Sequence, residues 1–267
     1  MKKLGSLLIP VLMMLFFISL SGRVFAGGMP PTTMILVGAG MLVLVAFLSK
    51  PKKGATKTAE AVKQEFLGDF ALDAFADNEK LGAQFHAALD NYGKNMPKAA
   101  IAKLEKLAPL CTGEKERYAV AMASAKVYFS LQKYKDSIRE YNKALVIHPT
   151  CALSSTIGDC YQRQGQLDKA REAYEFATEL EPKNVDAWSR LATVYVAEGN
   201  YEEGLDQAIQ ALDLDPNNAS CLATAAICYG IMDNALMHRH YTKLAVENGY
   251  KEEKIKETVK ALKKRNS

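Results

Sequence analysis

The stretch Val185–Asn218, VDAWSRLATVYVAEGNYEEGLDQAIQALDLDPNN, nearly restates the stretch before it, Cys151–Asn184, CALSSTIGDCYQRQGQLDKAREAYEFATELEPKN. Each begins as a helix-period run, breaks at a glycine (Gly165, Gly199), resumes as a second helix and stops at a proline (Pro182, Pro216). Matched places on the first helix hold Ile157/Leu191, Gly158/Ala192 and Tyr161/Tyr195; on the second they hold Ala170/Gly204, Tyr174/Ala208 and Ala177/Ala211. Small residues recur where two helices must approach closely, and a large group fills the gap beside them. Proline ends the second helix because it lacks the N–H of the hydrogen-bond ladder and restricts the residue before it.

Working outward, a third copy spans Tyr118 to Thr150, with Ala125, Tyr128, Tyr134, Tyr141, Ala144 and Pro149, although Ser137 stands at a small-residue place. Two weaker copies flank these three. Leu81 to Gly113 keeps Ala88, Ala100 and Leu107; Ala219 to Gly249 keeps Ala226, Tyr229 and Ala245 but has His238 at a small-residue place and no closing proline. Beyond Tyr250, Ile255, Val259 and Leu262 share one face of a charged segment over 251–267, as a capping helix requires.

This pattern resembles the tetratricopeptide repeat family. Trp188, Leu191, Tyr195, Gly204, Ala211 and Pro216 stand at its aromatic, leucine, tyrosine, small, alanine and proline places. The resemblance covers about 170 residues and implies an all-α solenoid of three clear and two degenerate helix-turn-helix repeats over 77–250. A helix pair of this size cannot bury its own apolar face, so neighbours stack and the stack is the core. The repeated residues are thereby explained by architecture rather than by catalysis.

The resemblance also implies a concave groove, lined by the first helix of each pair, that holds a protein or peptide partner. Carried over residue by residue, the partner-binding places are Met122, Lys126 and Phe129, then Asp159 and Arg163, then Arg190, Thr193 and Val196, and Ile227. Chaperone-binding members hold a C-terminal carboxylate with lysines and asparagines. Here Met122, Lys126 and Thr156 stand where lysine, asparagine and asparagine would be needed, and only Arg190 fits. An amphipathic helix or mixed extended segment is the better expectation, with apolar anchors and Lys126, Arg163 and Arg190 fixing register. Arg190→Glu with Phe129→Ala is expected to abolish capture and leave melting unchanged. Self-assembly is an alternative, with the groove taking a neighbouring copy's segment near Phe66–Phe75.

Ahead of the repeats the chain is apolar. Residues 1–26 open with Lys2 and Lys3, run apolar from Leu4 to Leu20 and read as a signal-like or first transmembrane segment. A second run over 32–48 is just long enough to cross a bilayer. Lys50, Lys52, Lys53 and Lys57 follow in a basic linker over 49–58. The lysines before the first run and after the second lie on one side and only Arg23 between them, so the positive-inside rule puts the repeats in the cytoplasm. Export of the whole domain to the periplasm, as an envelope-assembly accessory, is the alternative. Over 59–76, Val62, Phe66, Phe70 and Phe75 recur at roughly helical intervals, which predicts an amphipathic connecting helix packed on the repeats.

Composition narrows the chemistry. A net charge of +4 makes no case for nucleic acid. Cys111, Cys151, Cys160, Cys221 and Cys228 form no CxxC pair, which suits reduced, buried thiols. His238 and His240 lie two apart, and on a helix such side chains diverge, whereas metal ligands favour three or four apart. No phosphate-cradling loop, nucleophile elbow or HExxH occurs. No cofactor and no enzymatic activity are expected.

Overall fold

The computed structural model describes residues 57–266. Among them are twelve α-helices and no strand. A short α1 (Ala59–Leu67) leads into five helix pairs: α2 (Glu79–Gly93) with α3 (Pro97–Leu107), α4 (Glu114–Ser130) with α5 (Tyr134–Ile147), α6 (Cys151–Arg163) with α7 (Leu167–Leu180), α8 (Val185–Glu198) with α9 (Tyr201–Leu214), and α10 (Ala219–Ile231) with α11 (Ala235–Glu247). A last helix, α12 (Glu252–Asn266), closes the stack. The segments read as signal, membrane span and basic linker, apart from Lys57 and Thr58, lie outside the described residues. No described helix is long and apolar enough to cross a membrane.

The turn inside each pair is built the same way five times. One left-handed residue stands in each: Asn95, Gln132, Gly165, Gly199 and Asp233. The following amide then reaches back to a carbonyl of the last helical turn: Lys133 to Tyr128, Gln166 to Tyr161, Asn200 to Tyr195 and Asn234 to Tyr229, at 2.9, 3.0, 2.9 and 3.0 Å. This is the closure that left-handed C′ residues make possible. Glycine fills only two of the five places, so the glycine breaks visible in the repeated stretch understate how regular the turns are. Between pairs, Thr150, Asn184 and Asn218 cap the next first helix, each side chain accepting the amide three residues on at 3.2 Å.

Close approach within a pair depends on the small places. A Cβ on Gly204 would meet the Val196 side chain at 2.8 Å and the Ala192 carbonyl at 3.2 Å. The two polar departures, Ser137 and His238, are accommodated alike. Ser137 Oγ donates to the Ala125 carbonyl at 2.8 Å, and His238 Nδ1 lies 2.8 Å from the Ala226 carbonyl, the matching position three repeats on. His238 fits because Gly230 faces it: a Cβ there would stand 2.9 Å from Nδ1. All five cysteines are free and buried.

The connecting segment differs from the single helix expected over 59–76. The helix ends at Leu67, where Gly68 takes φ +57, and a 3₁₀ turn (Asp69–Ala71) follows. A continuous helix would carry Phe66, Phe70 and Phe75 around its surface; the break lets all three turn onto the array. α1 lies against α2 and α4, and the 3₁₀ turn lies against α4. Val62 and Phe66 are fully buried there, and Phe70 stacks on His148 with ring centroids 4.1 Å apart. At the other end α12 packs chiefly on α10, burying Ile255, with Val259 and Leu262 beside it. The apolar core is therefore closed at both ends within the described residues.

Candidate functional site

The first helices of the pairs show which part of the inner face is open. On α4 every residue from Tyr118 to Ala125 is buried, and on α10 every residue from Cys221 to Cys228. Both helices are covered on the face where neighbouring first helices leave space, α4 by α1 and α10 by α12. By contrast α6 and α8 present exposed Ala152, Arg163, Arg190 and Thr193. Residue chemistry follows the same division. One repeat place holds Lys126, Asp159, Thr193 and Ile227 in turn; another holds Met122, Ser155, Ser189 and Ala223. The face is largely apolar where the chain covers itself and polar where it does not.

The expected partner-binding residues are thus divided. Met122 is buried and Lys126 lies under α1, where its Nζ donates to the Glu65 carbonyl and stands 5.0 Å from the Phe66 ring centroid. Burial of Lys126 pulls its pKa down, partly countered by the Glu65 carboxylate. Val196 and Ile227 are core residues, 7% and 8% exposed, which corrects their placement on an open groove. Val196 packs toward Gly204 on the second helix of its own pair, and Ile227 belongs to the cluster that includes Ile255. Phe129 meets Tyr134 edge-on at 5.5 Å, with the Arg163 guanidinium 5.3 Å from the Phe129 ring centre.

What remains open is the floor made by α6 and α8, and its centre is a small polar network. Arg190 of α8 pairs with Asp159 of α6, and the buried Tyr174 of α7 donates its hydroxyl to the same carboxylate at 2.7 Å. Burial and this carboxylate both push the Tyr174 pKa up. For Arg190 burial opposes the charge, and Asp159 outweighs it. Arg190 is consequently not a free reading group, and Arg190→Glu would alter stability as well as binding. Toward α1 the floor leads into a cleft of about 420 Å³ lined by Phe66, Phe70, Tyr118, Met122, Lys126 and Thr156 among others. The network and the α1 cover were invisible in the sequence, because each joins residues of different repeats or segments. The signal available in the sequence was one repeat place that is apolar in the outer repeats, Met122 and Ala223, and polar in the middle ones, Ser155 and Ser189.

The tetratricopeptide repeat family model matches residues 156–219. The array is a solenoid of tetratricopeptide type. Solved tetratricopeptide arrays share this fold: YrrB, a protein described as having an unusual peptide-binding site, superimposes with TM-score 0.55 at 20% identity over 66% of this chain and 91% of its own. MamA superimposes with TM-score 0.56 at 17% identity over 64% of this chain and 92% of its own. Among curated proteins, the CTR9 homolog of Arabidopsis thaliana is 33% identical over 106 residues, 38% of this chain and 10% of that protein. The mitochondrial import receptor subunit TOM70 of Saccharomyces cerevisiae is 31% identical over 109 residues, 40% of this chain and 18% of its own. The tetratricopeptide segment thus spans under a fifth of these curated relatives.

His238 is held at the Ala226 carbonyl and His240 lies against Tyr241, so the two do not converge. Among the described residues, no group of three or more His, Cys, Asp or Glu is placed to hold a metal ion.

Proposed function

We propose that the chain is a membrane-tethered adaptor whose tetratricopeptide array holds a polar segment of a partner protein on the α6–α8 floor. The observation that carries this reading is the division of the inner face. Its two ends are covered by the chain's own α1 and α12, and its middle exposes Arg163, Arg190 and Thr193. A surface two helices wide fits a short extended segment or one face of a helix. Family likeness supports binding as the mode of action, since curated relatives include an Hsp70-Hsp90 organizing protein and a peroxisomal targeting signal receptor. Taking the Phe66–Phe75 segment of a neighbouring copy competes with that segment's docking in its own chain, which weighs against self-assembly through this route.

The tether is read from the apolar runs and lysines over 1–57, and with it the cytoplasmic side of the membrane. Two measurements test the proposal. A photo-crosslinking residue at Thr193 should yield a discrete adduct, and the same residue at Glu172, on α7, should not; equal adducts from both places would remove the floor as the site. A reporter fused after residue 60 should be active only in the cytoplasm, and activity only outside it would end the orientation.

A further inference from the structure

The two long edges of the array differ in charge, and the chain enters at one of them. The edge formed by the turns inside the helix pairs carries exposed Lys94, Lys98, Lys133, Lys135, Arg163 and Lys169. The C-terminal end of α12 adds Lys263 and Arg265 to it: Lys263 pairs with Asp233 of the α10–α11 turn, and Arg265 Nη1 donates to the Ala197 carbonyl at 2.9 Å. Acidic groups on this edge are engaged in part, with Asp168 exposed beside Lys169. Asp90 holds Lys94, Asp136 holds Arg139 and Glu198 holds Arg171, although Glu202 and Glu203 are exposed. The opposite edge, formed by the connections between pairs, carries exposed Asp77, Glu79, Glu114, Glu179, Glu181, Asp186 and Asp213, interspersed with exposed Lys80, Lys106, Lys115, Arg117 and Lys183, so carboxylates are in modest excess there. Lys57 arrives at the basic edge, where its amide donates to the Gly93 carbonyl at 3.0 Å at the end of α2. That crossing is built in, since a Cβ on Gly93 would stand 2.0 Å from the Lys57 carbonyl.

We infer that the basic edge is a second, peripheral membrane contact, seated on a surface of anionic lipid. The choice of lipid as the partner rests on the tether reading; the charge of the edge does not. A basic edge also suits nucleic acid, but the chain enters this edge directly from a lysine-rich stretch following an apolar run. Cations a few ångströms from anionic headgroups each add attraction that decays within a Debye length. Met96, Met232 and Leu236, all exposed, sit among these cations and can enter the headgroup layer. With this edge down, the edge of mixed charge points away from the bilayer, and the inner face stays accessible from the side.

Residues 57–267 carry a core closed at both ends, so the test uses that fragment and does not depend on the tether. Vesicles of phosphatidylcholine containing phosphatidylserine should sediment the fragment at least about ten-fold better than phosphatidylcholine alone, and raised salt should reverse this. Lys98→Glu, Lys135→Glu and Lys169→Glu together alter only exposed side chains and should abolish the sedimentation while leaving the melting curve in place. The native thiols are buried, so a fluorophore can be directed to a cysteine introduced at Met96, Met232 or Val146. The first two labels should respond to vesicles and the third, on the opposite edge, should not. Equal sedimentation with both lipids, retention in the triple variant, or a response at Val146 alone would overturn the inference. Binding of poly(U) without binding of phosphatidylserine vesicles would overturn it in favour of nucleic acid. Failure of the reporter fusion with lipid binding intact would end the tether reading and leave this edge standing.

Discussion

The ring of Tyr174 occupies the space that a side chain on Gly158 would need. A Cβ built on Gly158 stands 2.5 Å from one ring carbon of Tyr174 and 2.8 Å from two others. The ring cannot swing aside, because it is 1% exposed and its hydroxyl is held by Asp159. The pair therefore locks α6 to α7 at the centre of the array, directly beneath the open floor.

Gly158→Ala should accordingly destabilise the array by overpacking, at a cost of about 1–3 kcal/mol, despite the better helix propensity of alanine. Urea denaturation measures it. An unchanged midpoint would mean that the α6–α7 contact is looser than this geometry.

The turns inside the pairs make a prediction of opposite sign. Gln132 holds a left-handed conformation, φ 59, that glycine adopts without steric cost. Gln132→Gly should raise stability by up to about 1 kcal/mol, less the entropy glycine adds to the unfolded chain. Gly165→Ala, at φ 72, should lower it by about 1–2 kcal/mol. Thermal melts of the two variants should move in opposite directions.

The Asp159 network should be unequal in its parts. Arg190 is substantially exposed, so Arg190→Ala should cost under about 1 kcal/mol. Asp159→Ala leaves the buried Tyr174 hydroxyl without its carboxylate and should cost more, about 1–3 kcal/mol. A double-mutant cycle between Asp159 and Tyr174 should show coupling that the cycle between Asp159 and Arg190 exceeds only if the ion pair dominates.

Stability should fall in alkali. Burial pushes the thiols of Cys111 and Cys160 up to about 11 and that of Cys228 to about 12, from 9.0. A group whose folded pKa is raised binds its proton more tightly when folded. Its contribution is complete below pH 9 and is lost as pH rises through 11 to 12. Denaturation midpoints should be level near neutrality and decline above pH 9, and Cys228→Ala should flatten part of that decline.

Removal of 251–267 should expose the α10 face that includes Ile227 and lower the melting temperature, with aggregation following. Ile255→Asp tests the same contact by placing a carboxylate in a fully buried position. A truncated array that melts like the full one would show that α12 does not close the core.

The sequence by itself determined the period, the paired helices and the places where they touch. Those places are set by contacts inside one repeat or with the next, so Gly158, Tyr174, Gly204 and the prolines recur at readable intervals. Only the tertiary structure decided which part of the inner face is open. Lys126 meets the Glu65 carbonyl across 61 residues and Arg265 meets the Ala197 carbonyl across 68. Contacts at such separations come from non-repeating segments, α1 and α12, whose docking leaves no periodic mark. The same helices turned Met122 and Ile227 from expected groove residues into covered ones, and they left α6 and α8 as the floor.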